Sequence, residues 1–138
     1  MKIGIAGSMQ YVHEMLNIKS ELISLGHEAF TSPLFATYDN VYDENEIEKI
    51  KLYNKNNRDA IKTFWNEMQG QDAILICNFD KRGIKNYIGG NTLMEIGFAH
   101  VLNQKIFLLN PIPEIPYYKT EIEAMKPVII NGDLSLIE

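Results

Sequence analysis

The fold is decided by residues 72–78, Asp-Ala-Ile-Leu-Ile-Cys-Asn, a continuous apolar run with a polar residue at each end. Continuous apolar runs of this length are typical of strands that are covered on both faces, as in a parallel sheet. The run follows Gly70-Gln71 and precedes a loop over residues 79–91. We therefore predict a strand here, in the centre of a parallel sheet.

The segments on either side alternate between strand and helix patterns. Short apolar runs predict four further strands, at residues 2–6, 27–31, 105–109 and 127–130. Helical spacing of apolar residues predicts helices at residues 11–25, 44–68 (bent or interrupted near 54–57), 92–103 and 118–125. Residues 34–43 are expected to form a loop or short irregular helix over the surface. This order predicts one α/β domain over residues 1–138, a doubly wound five-stranded parallel sheet with helices on both faces and the flavodoxin-like strand order 2-1-3-4-5.

Composition limits the class of protein. The 138 residues are 46% hydrophobic and 22% charged, ordinary values for a globular domain. The net charge of −5 argues against a nucleic-acid partner, which normally requires clustered Lys and Arg. A single cysteine, Cys77, fits a reducing compartment, and no signal peptide or apolar run of membrane-span length is found. We expect a cytoplasmic protein with no membrane partner.

The predicted strand order places a ligand crevice beyond the carboxyl ends of the first and third strands. The turn Gly7-Ser8-Met9-Gln10 lies there, where Gly7 lets a ligand approach the backbone and Ser8 can donate to an anion; alternatively, Gly7 only makes the turn and Ser8 only caps the helix. Asp80 follows the third strand, where its carboxylate is placed to hydrogen-bond a sugar or a base. The same loop is locally basic, with Lys81, Arg82 and Lys85.

Residues 87–99, Tyr-Ile-Gly-Gly-Asn-Thr-Leu-Met-Glu-Ile-Gly-Phe-Ala, open the helix on the far side of that loop. Thr92 and Glu95 have the spacing of a capping box, in which Glu95 would only reach back to the Thr92 N–H. The other interpretation points Glu95 into the crevice as a functional carboxylate. Bare backbone at Gly89-Gly90 favours the second interpretation. Gly97 favours it too, because glycine inside a helix costs about 1 kcal/mol relative to alanine.

Other common chemistries lack their motifs. The chain has no GxGxxG, P-loop or GxSxG sequence, no Ser-His-Asp arrangement, and no metal-ligand spacing among its histidines and its cysteine, so no metal or cofactor is expected. A flavodoxin-like FMN protein is disfavoured because no loop is rich in Ser and Thr. A nucleotide-binding or sensing domain without turnover remains the alternative to an enzyme.

Three motifs, in an order that covers nearly the whole chain, resemble the nucleoside 2-deoxyribosyltransferase superfamily, which includes deoxynucleoside-monophosphate N-glycosidases. They are Gly7-Ser8-Met9, the strand that begins at Asp72, and residues 90–105, Gly-Asn-Thr-Leu-Met-Glu-Ile-Gly-Phe-Ala-His-Val-Leu-Asn-Gln-Lys. The Glu-Ile-Gly-Phe-Ala portion is the most specific. The Tyr-Ile-Gly-Gly-Asn-Thr signature is similar to that of a bacterial and archaeal subgroup.

The resemblance implies cleavage or transfer at the N-glycosidic bond of a nucleoside or nucleoside monophosphate. Glu95 falls on the nucleophile, which attacks the anomeric carbon as in retaining glycosidases and which the helix dipole would keep ionised. Asp72 falls on an aspartate that activates the leaving base, and Tyr11 on a tyrosine that orients the glutamate. Gly7, Ser8, Met9, Asp80, Gly89, Gly90 and Asn91 would position the sugar or phosphate. Gly89 departs from the family pattern, which has an acidic or hydroxyl residue six places before the glutamate. Self-association into a dimer or larger oligomer is also implied.

Overall fold

The centre of the structure, a computed structural model that describes all 138 residues, is the strand predicted from residues 72–78. Strand β3, Ala73–Cys77, is buried along its whole length. It lies between β1, Lys2–Gly7, and β4, Lys105–Leu108, with β2, Glu28–Phe30, and β5, Val128–Ile129, at the edges. Every pairing is parallel, and the order is β2-β1-β3-β4-β5. The predicted fold class and strand order are confirmed.

Helices cover both faces of the sheet because neighbouring strand residues point to opposite sides. The helices are α1, Val12–Ser24; α2, Glu44–Asn57; α3, Ala60–Met68; α4, Gly90–Val101; and α5, Lys119–Ala124. Side chains such as Ile5 and Leu75 pack with α1 and α2 in one core. Ile74 and Ile76 pack with α3, α4 and α5 in the other. None of the helices combines the length and apolarity needed to cross a bilayer.

Two connections agree with the prediction in kind and differ from it in detail. The 44–68 segment is interrupted, as predicted, but the break lies at Asp59 rather than at 54–57, because Asp59 has a φ of 45° and its side chain accepts the Lys62 N–H to start α3. Residues Pro33–Tyr38 form a short 3-10 helix, and Phe35 and Tyr38 are buried rather than spread over the surface. Both connections bring α2 and the 33–38 segment towards the carboxyl end of β1.

Side-chain amides fix the carboxyl edge of the sheet. The Asn78 side chain donates to the Asn110 carbonyl oxygen (2.8 Å), and its Oδ1 accepts the Asn110 N–H (3.0 Å). The Asn110 side-chain amide donates a hydrogen bond to the Asn78 carbonyl oxygen at 3.0 Å. These bonds tie the loops that follow β3 and β4 to each other at the edge where ligands bind in such sheets.

Candidate active site

A cavity of about 330 Å³ opens at the carboxyl ends of β1 and β3. Its volume lies within the range of small-molecule sites. Its 22 lining residues come from the end of β1, the β1–α1 turn, the 32–38 segment, α2, α3, the loop after β3 and the first turns of α4. Seven of the sequence-predicted site residues line it: Gly7, Ser8, Met9, Gly89, Gly90, Asn91 and Glu95.

Glu95 lies in the second turn of α4 and is 8% exposed. The helix begins earlier than predicted, because Gly89 is its N-cap and the Leu93 N–H donates to the Gly89 carbonyl oxygen at 2.9 Å. Thr92 is therefore inside the helix, and the capping-box interpretation is wrong. The Glu95 carboxylate instead accepts a hydrogen bond from Asn91 Nδ2 (3.1 Å), one helical turn earlier, and lines the cavity.

Burial is the main influence on the ionisation of Glu95. It raises the pKa of the carboxyl from 4.5 to about 8, against smaller lowering effects of the Asn91 hydrogen bond and the charge of Lys55. The expectation that the helix dipole keeps Glu95 ionised is therefore wrong at neutral pH. The expectation fails because of the position of Glu95 in the helix. The helix dipole acts within the first turn, and Glu95 lies beyond that turn.

The turn after β1 supplies the second wall. Ser8 Oγ accepts the Gln10 N–H (3.4 Å) and also a hydrogen bond from Lys81 Nζ (2.9 Å). Ser8 thus caps the short helix that follows and also contacts Lys81 of the cavity lining, while its contact with an anionic ligand stays a prediction. A Cβ at Gly7 would lie 2.8 Å from the Cys77 carbonyl oxygen, which makes glycine necessary for strand packing there.

Three sequence-predicted site residues do not line the cavity. Asp72 precedes β3 at the amino edge of the sheet, roughly 16 Å from the carboxyl edge, and its carboxylate accepts the Lys2 N–H at 2.8 Å. Tyr11 donates its hydroxyl to the Asp80 carbonyl oxygen rather than to Glu95. The Asp80 carboxylate accepts the Asn86 N–H (2.9 Å) and so stabilises its own loop. Their predicted roles with the base, the glutamate and the sugar gain no support.

Sequence reasoning missed the side of the cavity formed by α2 and the 32–38 segment. The missed residues include two lysines, an amide and several aromatic or hydroxyl side chains: Lys51, Lys55, Asn54, Ser32, Phe35, Tyr38 and Tyr87. Two signals were available in the sequence. Lys51 and Lys55 are four residues apart and so lie on one face of a helix, and the Ser-Pro pair follows the second strand, at the edge of the sheet where the crevice lies. Lys81 and Arg82, noted as a basic loop, also line the cavity.

Comparison of the chain with protein-family models, curated proteins and solved structures finds no match. The superfamily resemblance therefore stays a prediction, and the functional argument depends on the geometry of the cavity.

Proposed function

We propose that this protein is an N-glycosidase or glycosyl transferase of the nucleoside 2-deoxyribosyltransferase type, with Glu95 as the nucleophile. One observation carries the proposal. The Glu95 carboxylate is buried, oriented by Asn91 and directed into a cavity at the ligand-binding edge of the sheet, rather than bonded to its own helix amides. A buried carboxylate with a perturbed pKa that lines a cavity is the expected property of a catalytic group.

The chemistry takes two steps. An ionised Glu95 oxygen attacks the anomeric carbon, the bond from that carbon to the base nitrogen breaks, and its electron pair leaves with the base, which takes a proton from solvent. Water or a second base then attacks the same carbon and releases Glu95. Two displacements give retention of configuration. Because burial keeps Glu95 largely protonated at neutral pH, proton loss precedes the first step.

The remaining walls suit the other parts of a nucleotide. Leu34, Phe35 and Tyr38 offer an apolar and aromatic surface on one side, suited to a nucleobase. Ser8 and the start of α4 at Gly89-Gly90 offer a hydroxyl and free backbone N–H groups on the other, suited to a sugar or phosphate. A nucleotide that contacts both groups of residues would lie in the cavity that Glu95 also lines.

The test is base release from deoxynucleosides and deoxynucleoside monophosphates, followed by chromatography. We expect release by the wild-type chain and a loss of about 10³-fold or more in Glu95→Gln, which keeps the shape but removes the nucleophile. Asp72→Asn is the matched control, because Asp72 is a carboxylate of the same sheet outside the cavity. Equal base release by wild type and Glu95→Gln would refute the mechanism.

The second candidate is a nucleotide-binding or sensing domain without turnover. Two features favour it: burial raises the pKa of the Glu95 carboxyl to about 8, which disfavours the ionised form that a nucleophile needs, and Asp72, the residue expected to assist the leaving base, lies at the opposite edge of the sheet. Calorimetric binding of a deoxynucleoside monophosphate with no base release at any pH from 6 to 9 would select this candidate. Self-association, implied by the resemblance, is tested separately by light scattering.

A further inference from the structure

The loop after β3 contains a tight hairpin turn with an unusual residue in it. The Lys81 N–H donates to the Ile84 carbonyl oxygen (3.0 Å), and the Ile84 N–H donates to that of Lys81 (2.9 Å). The two central residues both have positive φ, 54° at Arg82 and 73° at Gly83. This is the pattern of a type I′ turn, in which Asn, Asp or Gly is preferred at the first central position. An arginine there is conformationally disfavoured, so a local folding preference does not explain it.

The side chains of this hairpin join a group of cations at the cavity. Lys81 and Arg82 line it together with Lys51 and Lys55 of α2, which are one helical turn apart. Glu95 is the only acidic residue among the lining residues. Outside the lining, Glu48 pairs with Lys51 at 3.1 Å. Four cations are thus concentrated at one cavity of a chain whose net charge is −5.

These cations are close enough to influence one another and are incompletely neutralised. The pKa of Lys81 is lowered, first by burial and then by the charges of Lys51 and Arg82. Its Nζ donates to the Ser8 hydroxyl rather than to a carboxylate. Neither Arg82 nor Lys55 forms an ion pair. Glu48 is the carboxylate whose charge acts on Lys51, Lys81 and Arg82. A fold that brings four like charges together with so few counter-ions loses stability, and a polyanionic ligand would recover it.

We infer that the 81–84 hairpin and the α2 lysines form a subsite for two or more linked phosphates, so that the substrate is a nucleoside diphosphate or triphosphate. The inference rests on the proposed function, which it makes specific. The phosphate nearest the sugar lies by Ser8 and Lys81, and the outer phosphates lie by Arg82, Lys51 and Lys55. A single phosphate ester carries a charge of about −2 at most and would leave part of the cluster unpaired. The arginine fork suits bidentate phosphate contacts and explains why an arginine is held in this turn.

The first test is calorimetric binding of inorganic pyrophosphate and inorganic phosphate to the full-length wild-type chain at low salt without divalent cations. We expect pyrophosphate to bind about tenfold or more tightly than phosphate, because it reaches additional charged donors. The pyrophosphate affinity should weaken as salt is added. Equal affinities for the two anions would overturn the inference.

The second test separates charge from hairpin structure. Arg82→Asn places a residue in the turn that accepts positive φ, so thermal stability should be unchanged or higher, while pyrophosphate affinity falls about tenfold. Lys49→Ala, on the same helix as Lys51 but outside the cavity, is the control and should retain wild-type affinity. Undiminished pyrophosphate binding by Arg82→Asn, or a lower melting temperature, would overturn the inference, because the arginine would then serve only the fold.

A comparison of base release from deoxynucleoside mono-, di- and triphosphates distinguishes the two proposals. If pyrophosphate binds as expected but no nucleotide loses its base, the subsite stands and the glycosidase function fails. If monophosphates are cleaved as efficiently, by kcat/KM, as diphosphates and triphosphates, the function stands and the subsite fails. Preference for the longer phosphate chains, lost in Arg82→Asn, supports both.

Discussion

Replacing Glu95 by glutamine should make the protein more stable, increasingly so as the pH rises. Burial raises the pKa of this carboxyl from 4.5 to about 8 in the folded chain. Below pH 4.5 both the folded and the unfolded chain hold the proton, and the carboxyl contributes nothing to the pH dependence. Between these two values the folded chain keeps a proton that the unfolded chain has lost, so wild-type stability falls with increasing pH. Above pH 8 both forms are ionised and the cost is constant.

The magnitude follows from the two pKa values. Each pH unit in the window costs about 1.4 kcal/mol, which sums to about 3–5 kcal/mol between pH 4.5 and 8. Urea unfolding of wild type and Glu95→Gln from pH 4 to 9 measures the difference, which should grow through the window and level off above it. Glu21→Gln, which removes an exposed carboxylate of α1, controls for net charge. A difference that stays constant with pH, or shrinks, would show that Glu95 is not a buried neutral acid.

Three further predictions concern the cavity and its surroundings. Since Glu95 must be ionised to attack, kcat/KM for base release should rise with pH to a plateau above about 8. Lys55→Gln should move the midpoint of this rise to higher pH, because Lys55 lowers the pKa of Glu95. A kcat/KM independent of pH would contradict this prediction. Asp72→Asn should keep kcat/KM within about threefold and lower the free energy of unfolding by about 1 kcal/mol, because the Asp72 carboxylate accepts only a strand N–H. Loss of turnover in this variant would show that Asp72 takes part in the reaction. Gly7→Ala should lower the free energy of unfolding by about 1–3 kcal/mol, because its Cβ would meet a β3 carbonyl oxygen at 2.8 Å. Gly90→Ala, where a Cβ has open space, should be neutral or slightly stabilising in urea unfolding. Equal effects of the two substitutions would refute the packing argument.

The fold followed from the sequence because its signals are local and agree with one another. The continuous apolar run at residues 73–77 is stable only where both of its faces are buried, between two layers of helices. Its alternation with helical segments then predicts a doubly wound parallel sheet. Helix boundaries were less predictable. Thr92 has the sequence pattern of a cap, but Gly89 takes that position, and Thr92 is buried in the third position of the helix, where it lines the cavity. Tertiary packing decided between two local possibilities.

The site was half predictable for a topological reason. Residues directly after β1 and at the start of α4 reach the crevice through the strand order alone, so Ser8 and Glu95 were placed from the sequence. Lys55 reaches the cavity because α2 ends at Asn57 and its last turns line the cavity, and the predicted interruption of the helix did not indicate which side of α2 would face the crevice. Asp72 was placed in the site because its role came from the family resemblance. Topology alone would have excluded it, because the residue before a central strand lies at the edge of the sheet opposite the crevice.

Under the proposed function, the buried acid beside the cations of the cavity has a role that binding alone would not give it. A domain that only bound a phosphorylated ligand would gain nothing from a buried acid beside its cations, since each ionisation of Glu95 would repel the ligand and glutamine would serve better. For a nucleophile the arrangement has a purpose: burial removes the water that would shield the carboxylate, while Asn91 and Lys55 oppose the rise in its pKa. With the pKa held to about 8, about a tenth of the molecules carry an ionised Glu95 at pH 7. Under the proposed mechanism this fraction supplies the nucleophile, and a desolvated carboxylate is more reactive than one in water.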